Sequence, residues 1–383
     1  MLDHQGKNQE APTSKSGEDK FETKRSLLAG GSLAKGIVGI FISLALLFCL
    51  FSYFRVELFV SLLKKAGLHM LVLATLIYLS TYFFRAYRFQ LIFGKGHPST
   101  ISLFAVVSLH SFFNHILPFR TGEVSYLYFQ KKYLKISYSM AGASLILARI
   151  LDAIALITWA CILFPAVFMK AGKITLSYLW PPALMTCLFI LFFYIRRWRK
   201  SVSALSRMVE CLPPAPESAD SLGQRILRFF RGTIEHATCI MKEAPFIRLF
   251  LISMTLWFAN FLYFFAVLRA FGQNILLLES IFPAYGATLG YLLPINGLGS
   301  LGTFEAGMAM GQVGIGTEGQ LSVSLAFLTH AHVILTGMLA ASVAWIYLKI
   351  RSVRHKRVEL RRKGKTERRK SIKVIRSEAG SST

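Results

Sequence analysis

The stretch Asn114-His115-Ile116-Leu117-Pro118-Phe119-Arg120-Thr121-Gly122-Glu123 interrupts an apolar run of membrane length, Ile101 to Ala160, which resumes around Arg149 and Asp152. An ionisable side chain in hydrocarbon costs at least ~2.5–3.5 kcal/mol, so such groups usually face a protein-lined cavity and read as functional by default. Pro118 and Gly122 add to that reading. Broken backbone at membrane depth is tolerated only where it is buried in protein or lines a wet cavity.

Outward from this stretch the composition sets the class. Of 383 residues 54% are hydrophobic and 16% charged, and several runs approach the ~20 apolar residues of a spanning helix. A soluble helical domain would show apolar stripes with polar outer faces, whereas Ile37 to Phe54 and Phe250 to Val267 are apolar all round. The expected fold class is therefore an all-α polytopic membrane protein.

The formal charge of +25 raises the question of nucleic acid, and its distribution answers it. Lys and Arg number 6 in Met1 to Lys35, 10 in Arg196 to Arg248 and 14 in Lys349 to Thr383, or 30 of the 44. Between Leu249 and Leu348 the only basic residue is Arg269. Clusters beside apolar spans follow the positive-inside pattern and favour anionic lipid headgroups. No recognition fold accompanies them, so nucleic acid is not an expected partner.

Taken in order, residues 1–33 read as a disordered cytoplasmic tail, too polar to offset the entropy of ordering. Residues 34–350 read as the transmembrane domain and 351–383 as a polybasic cytoplasmic tail. Spans are expected at Gly36–Phe54 and Leu68–Phe84, with Arg85, Arg88 and Lys95 marking a return to the basic side and Phe89 to Phe93 in the interface. If Ile101 to Leu117 then crossed fully, simple alternation would put the basic cluster of Arg196 to Arg248 outside. That conflict with the charge rule disappears if Ile101 to Gln130 is a re-entrant hairpin turning near Pro118.

Ser139–Leu163 and Leu176–Ile195 then form an out-and-back pair. In the cytoplasmic loop 196–248, Leu222, Ile226, Phe229, Phe230, Ile234, Ala237 and Met241 recur at helical spacing, which predicts an interfacial amphipathic helix. Phe246–Phe271 is a further span, and Leu276–Gly314, rich in glycine and holding Pro283, Pro294 and Glu305, is a second interrupted region. The last span is Leu321–Leu348. The tally is six full spans and two opposed hairpins, or eight full spans if short basic loops lie outside. The two breaks resemble each other: Leu117-Pro118 followed by Gly122-Glu123, and Leu293-Pro294 followed by Gly302 and Glu305. Interrupted segments in corresponding halves point to a transporter binding site.

At the first break Thr121 is placed to cap the helix that starts near Gly122, whose free N–H groups would form an anion pocket. Arg120 beside it can fork two oxygens of a phosphate or carboxylate. The structural alternative is that Arg120 snorkels to the interface and Glu123 only complements the helix dipole. Arg149 and Asp152, at i and i+3, share a helix face and can pair, either to hold helices together or to present a second cation. Gly299, Gly302 and Glu305 suggest a second helix start with close backbone approach. No P-loop lysine follows them.

His110, His115, His330 and His332 lack zinc-like spacing, and His330 and His332, two apart, fall on nearly opposite sides of a helix. Cys49, Cys161, Cys187, Cys211 and Cys239 form no CxxC. Neither a metal nor a cofactor is expected, and no nucleophilic or metallo-hydrolytic motif marks an enzyme.

Asn114-x-x-Leu117-Pro118-x-Arg120-x-Gly122-Glu123, then Arg149-x-x-Asp152, then Gly299-x-Leu301-Gly302-x-x-Glu305 resembles the flippase-like integral membrane family of the lysylphosphatidylglycerol synthase transmembrane region. The likeness covers about Ala34 to Ile350. It implies a helical lipid-handling module that in some relatives moves an aminoacylated phospholipid across the bilayer and in others is linked to hopanoid or polyprenyl-linked sugar lipids. This chain has Val124-Ser125-Tyr126 where relatives often carry a basic residue, and Gly299-Ser300 where they often carry two glycines. No synthase or glycosyltransferase motif is legible, so those activities are not carried over.

The resulting expectation is a lipid translocator whose headgroup site comprises Asn114, Arg120, Gly122, Glu123, Arg149, Asp152, Gly299, Gly302 and Glu305. Its partners are a membrane phospholipid or lipid-linked substrate and anionic lipid at the basic tails. A membrane transferase, or a scaffold recruiting lipid-synthesis enzymes, are the competing readings. The expected location is the cell inner membrane or plasma membrane, multi-pass, with both termini cytoplasmic.

Overall fold

A computed structural model describes residues 44–94, 98–118, 121–170, 207, 222–292 and 298–380, and among them every regular element is helical. Two short helices, α1 (Leu44–Tyr53) and α2 (Val56–Lys64), meet at a 77° bend. The long α3 (Leu68–Phe93) leads to α4 (Thr100–Ile116) and α5 (Gly122–Phe129), the two arms of the first hairpin, and a π-helical turn, Gln130–Leu134, closes it. Next come α6 (Tyr138–Lys170) and α7 (Leu222–Glu243). The second half is α8 (Phe246–Ala270), the hairpin α9 (Ile281–Leu292) and α10 (Thr303–Val313), and α11 (Gly319–Gly380).

Among the described residues four helices, α3, α6, α8 and α11, are long and apolar enough to cross a membrane, or five spans if the bent α1–α2 pair counts as one. The chain is a multi-pass membrane protein. The expected span Leu176–Ile195 and the tail 1–33 lie outside the described residues. So do residues 36–43 of the first expected span.

One boundary needs correction. The helix expected over Leu68–Phe84 does not end there; α3 continues to Phe93, with Arg88, Phe89, Ile92 and Phe93 all buried. The physical reason is that Arg88 is neutralised inside the protein, as described below, so the helix has no need to end at its charge.

Helices α3 and α8 pack antiparallel. Gly67 N–H donates to the Ala270 carbonyl at one end, the Tyr78 and Tyr263 rings lie 4.8 Å apart near the middle, and Arg88 reaches Ser253 at the other end. This pair fixes the direction of the hairpins. The first begins at the Phe93 end of α3, where Thr100 bonds Gln90; the second begins beyond Ala270, at the Leu68 end. They therefore enter from opposite ends of α3, and their tips meet where Asn114 donates to Tyr291.

Each arm of the second hairpin is too short to span. At ~1.5 Å per residue α9 and α10 reach only about 18 and 16 Å against ~30 Å of hydrocarbon. Because lipid is as apolar as leucine, close backbone packing has to hold such arms together. A Cβ added at Gly290 falls 2.1 Å from the Thr303 carbonyl oxygen, and one at Gly286 falls 2.0 Å from that of Gly307. Glycine at these positions lets α9 and α10 touch along their backbones. Elsewhere small residues serve the same end: Ala74, Ala86, Ala141, Ala148, Ala266 and Ala326 are all buried.

Helix α11 packs against α4, with Tyr347 near Ser102 and Gly337 near Phe112. The amphipathic α7 docks on α6, where Gly142 meets Phe229 and Gly232 meets Ser139, while Ile226 and Phe230 stay exposed.

Candidate functional site

Where the hairpin tips meet, a cavity of about 300 Å³ is lined by residues from eight helices, Tyr78, Arg85, Asn114, Glu123, Arg149, Asp152, Asn260 and Tyr291 among them. Its charged wall is built from two halves of one ion-pair chain. Arg88 grips Asp152 with both terminal guanidinium nitrogens, at 2.6 and 3.3 Å, and Trp257 Nε1 donates to the same carboxylate at 3.2 Å. Arg149 lies 3.1 Å from Glu123 and 3.6 Å from Asp152.

The pairing expected from i and i+3 spacing is present but is the longest of these contacts. Arg149 and Asp152 do touch, but each has a closer partner on another helix, because α3 and α5 both bring a charge to this face of α6. Arg88, read from sequence as a surface marker, is the buried anchor of the network, only 2% exposed.

The other expected residues are placed as follows. Asn114 lines the cavity and its amide meets Tyr291. Gly122 is buried against Asn114, its carbonyl accepts from His110 Nδ1 at 3.1 Å, and it is not among the cavity-lining residues. Thr121 does not cap α5; its hydroxyl donates back to the Pro118 carbonyl at 2.7 Å, closing the turn instead. Arg120 lies outside the described residues.

Gly299, Gly302 and Glu305 shape the second hairpin behind the cavity wall and do not line it themselves; Tyr291 and Phe304 of that hairpin do. Glu305 Oε2 accepts from Gly302 N–H at 2.8 Å, and Oε1 accepts from His330 Nδ1 at 2.6 Å. The histidines are dispersed. His332 bonds Thr75 and Tyr263, whereas His115 Nε2 meets the Tyr78 hydroxyl at 3.2 Å.

The two halves share one plan: a long helix, a hairpin whose returning arm carries a glutamate in its first turn, and a long helix whose twelfth residue meets that glutamate. A family model decides what this plan belongs to: the lysylphosphatidylglycerol synthase TM region matches residues 36–360. The chain belongs to that family. No curated protein and no solved structure matches it. As a member of the lysylphosphatidylglycerol synthase TM region family it is a membrane protein related to lipid synthesis or flipping.

Sequence reasoning about this family member missed Arg85, Tyr78, His115, Tyr263 and Tyr291 as cavity residues. A signal was present for two of them. Tyr78 and Arg85 are seven apart, two helical turns, and so share a face, and the apolar pattern that continues through Phe89 to Phe93 marks Arg85 and Arg88 as interior to a helix.

Proposed function

We propose that this protein is a lipid translocator, which receives an anionic or modified phospholipid headgroup in the cavity between the hairpin tips and passes it across the bilayer without covalent change. The observation that carries this reading is the charged cavity at the meeting point of two opposed, non-spanning hairpins. Its volume of about 300 Å³ is at the low end of ligand pockets, suited to a headgroup while acyl chains stay in lipid. Movement follows from one half rocking against the other around a fixed midplane site. Anionic lipid at the basic tails, and lipid-synthesis enzymes as suppliers, belong to the same proposal, as do cytoplasmic termini in a cell inner or plasma membrane.

The test is reconstitution into phosphatidylethanolamine–phosphatidylglycerol vesicles with a fluorescent phosphatidylglycerol, read by chemical quenching of the outer leaflet. Translocation above that of protein-free vesicles, slowed by Glu123→Gln and Asp152→Asn, is expected. Rates equal to those of empty vesicles would overturn the reading. A chemically altered lipid recovered from the vesicles would favour a transferase.

A further inference from the structure

Among the described residues the charges around the cavity do not cancel. Arg88 and Arg149 are met by Asp152 and Glu123, which leaves Arg85 as the third cation. It lines the cavity, is partly buried, and among the described residues has no hydrogen bond or ion pair. A guanidinium at this depth without a carboxylate partner is costly unless something else neutralises it.

Its surroundings are suited to a bound anion. Arg85 lies within electrostatic range of Tyr78, His115 and Asp152. His115 also lines the cavity; its Nε2 meets the Tyr78 hydroxyl, and its Nδ1 is a buried atom with no partner in the structure. Arg85 and His115 thus bring a guanidinium and an unpartnered ring nitrogen from α3 and α4. Arg149, by contrast, already faces two carboxylates, so an incoming anion there would have to displace Glu123.

We infer that Arg85, assisted by His115 Nδ1, is the anchor for one phosphodiester anion of a lipid headgroup. The inference rests on the lipid-translocator reading for its choice of ligand: anions that reach this depth arrive tethered to acyl chains, and one excess positive charge matches one phosphodiester. A planar guanidinium forks two phosphate oxygens, which lysine cannot do.

The experiment uses the purified full chain in neutral detergent with three probes: dihexanoyl phosphatidylglycerol, dihexanoyl glycerol and inorganic phosphate. The phosphatidylglycerol probe should bind, and Arg85→Gln should weaken it at least about tenfold, with Arg85→Lys between the two. Binding of dihexanoyl glycerol should not respond to either change. Both variants should keep the wild-type melting temperature, because Arg85 has no protein partner to lose.

Unchanged affinity in Arg85→Gln overturns the inference, as does a fall in melting temperature in both variants, which would make Arg85 structural. Competition by inorganic phosphate at concentrations equal to the lipid probe identifies a free-anion site and overturns the headgroup assignment. Vesicle transport separates this inference from the broader reading: translocation by the wild type with an undiminished rate in Arg85→Gln sinks the anchor alone, whereas headgroup binding without translocation sinks the translocator alone.

Discussion

Arg149 and His330 occupy the same register in the two halves, each the twelfth residue of the helix that follows a hairpin, and each contacts the first-turn glutamate of that hairpin's returning arm. The halves have diverged in exposure. The Arg149–Glu123 side chains are 35% and 30% exposed, while His330 and Glu305 are 2% and 0% exposed. One pair is open to the cavity and the other is sealed in the wall.

That divergence predicts different consequences for the same mutation. Glu305→Ala leaves the Gly302 N–H and His330 Nδ1 buried without an acceptor, a loss of roughly 1–3 kcal/mol for each orphaned group. Its melting temperature in detergent should fall by several degrees. Glu123→Ala, at a half-exposed pair, should change melting little and lipid handling strongly. A similar thermal loss in both would contradict the division of labour.

Buried Arg88 and Asp152 should behave as a unit. Removing one partner of a buried pair strands the other charge at a cost of about 3–5 kcal/mol, and neutralising both recovers much of it. Arg88→Gln and Asp152→Asn should each reduce folded yield and melting temperature, with the double variant closer to wild type. Arg149→Gln should be milder in melting than Arg88→Gln, since Asp152 keeps its nearer partner. The reverse order would restore Arg149 as the structural partner of Asp152.

Closure of the second hairpin should be intolerant of a single methyl group. Gly290→Ala and Gly286→Ala put a Cβ 2.1 and 2.0 Å from carbonyl oxygens of α10, so overpacking of at least about 1–3 kcal/mol is expected. Gly223→Ala on α7, where a Cβ meets nothing within 4 Å, is the control. Folded yield by size-exclusion profile checks the contrast, and equal profiles would refute the backbone contact.

The distribution of basic residues predicts a cytoplasmic loop between Ile195 and Phe246. A cysteine introduced at Ser218 should resist a membrane-impermeant thiol reagent in intact cells and react after lysis. Labelling in intact cells would invert the topology.

Much of the architecture was legible because membrane insertion leaves a one-dimensional record. Apolar length names α6, α8 and α11, and Pro118 marks where α4 cannot continue as a simple spanning helix. The break at Asn114 to Glu123 also directed attention to the cavity, since Asn114, Glu123, Arg149 and Asp152 all line it.

Partner choice was not legible. Spacing paired Arg149 with Asp152 because residues three apart on a helix are neighbours, but an ion pair forms wherever packing brings opposite charges closest, and that was decided between helices. Arg88 was hidden for the same reason: a cation after an apolar run looks like a flank until a carboxylate from another helix neutralises it inside. The sequence by itself determined which segments are long and apolar enough to cross a membrane, through the cost of burying charge and unpaired backbone. Only the tertiary structure decided which charges cancel, and so which one, Arg85, is left over.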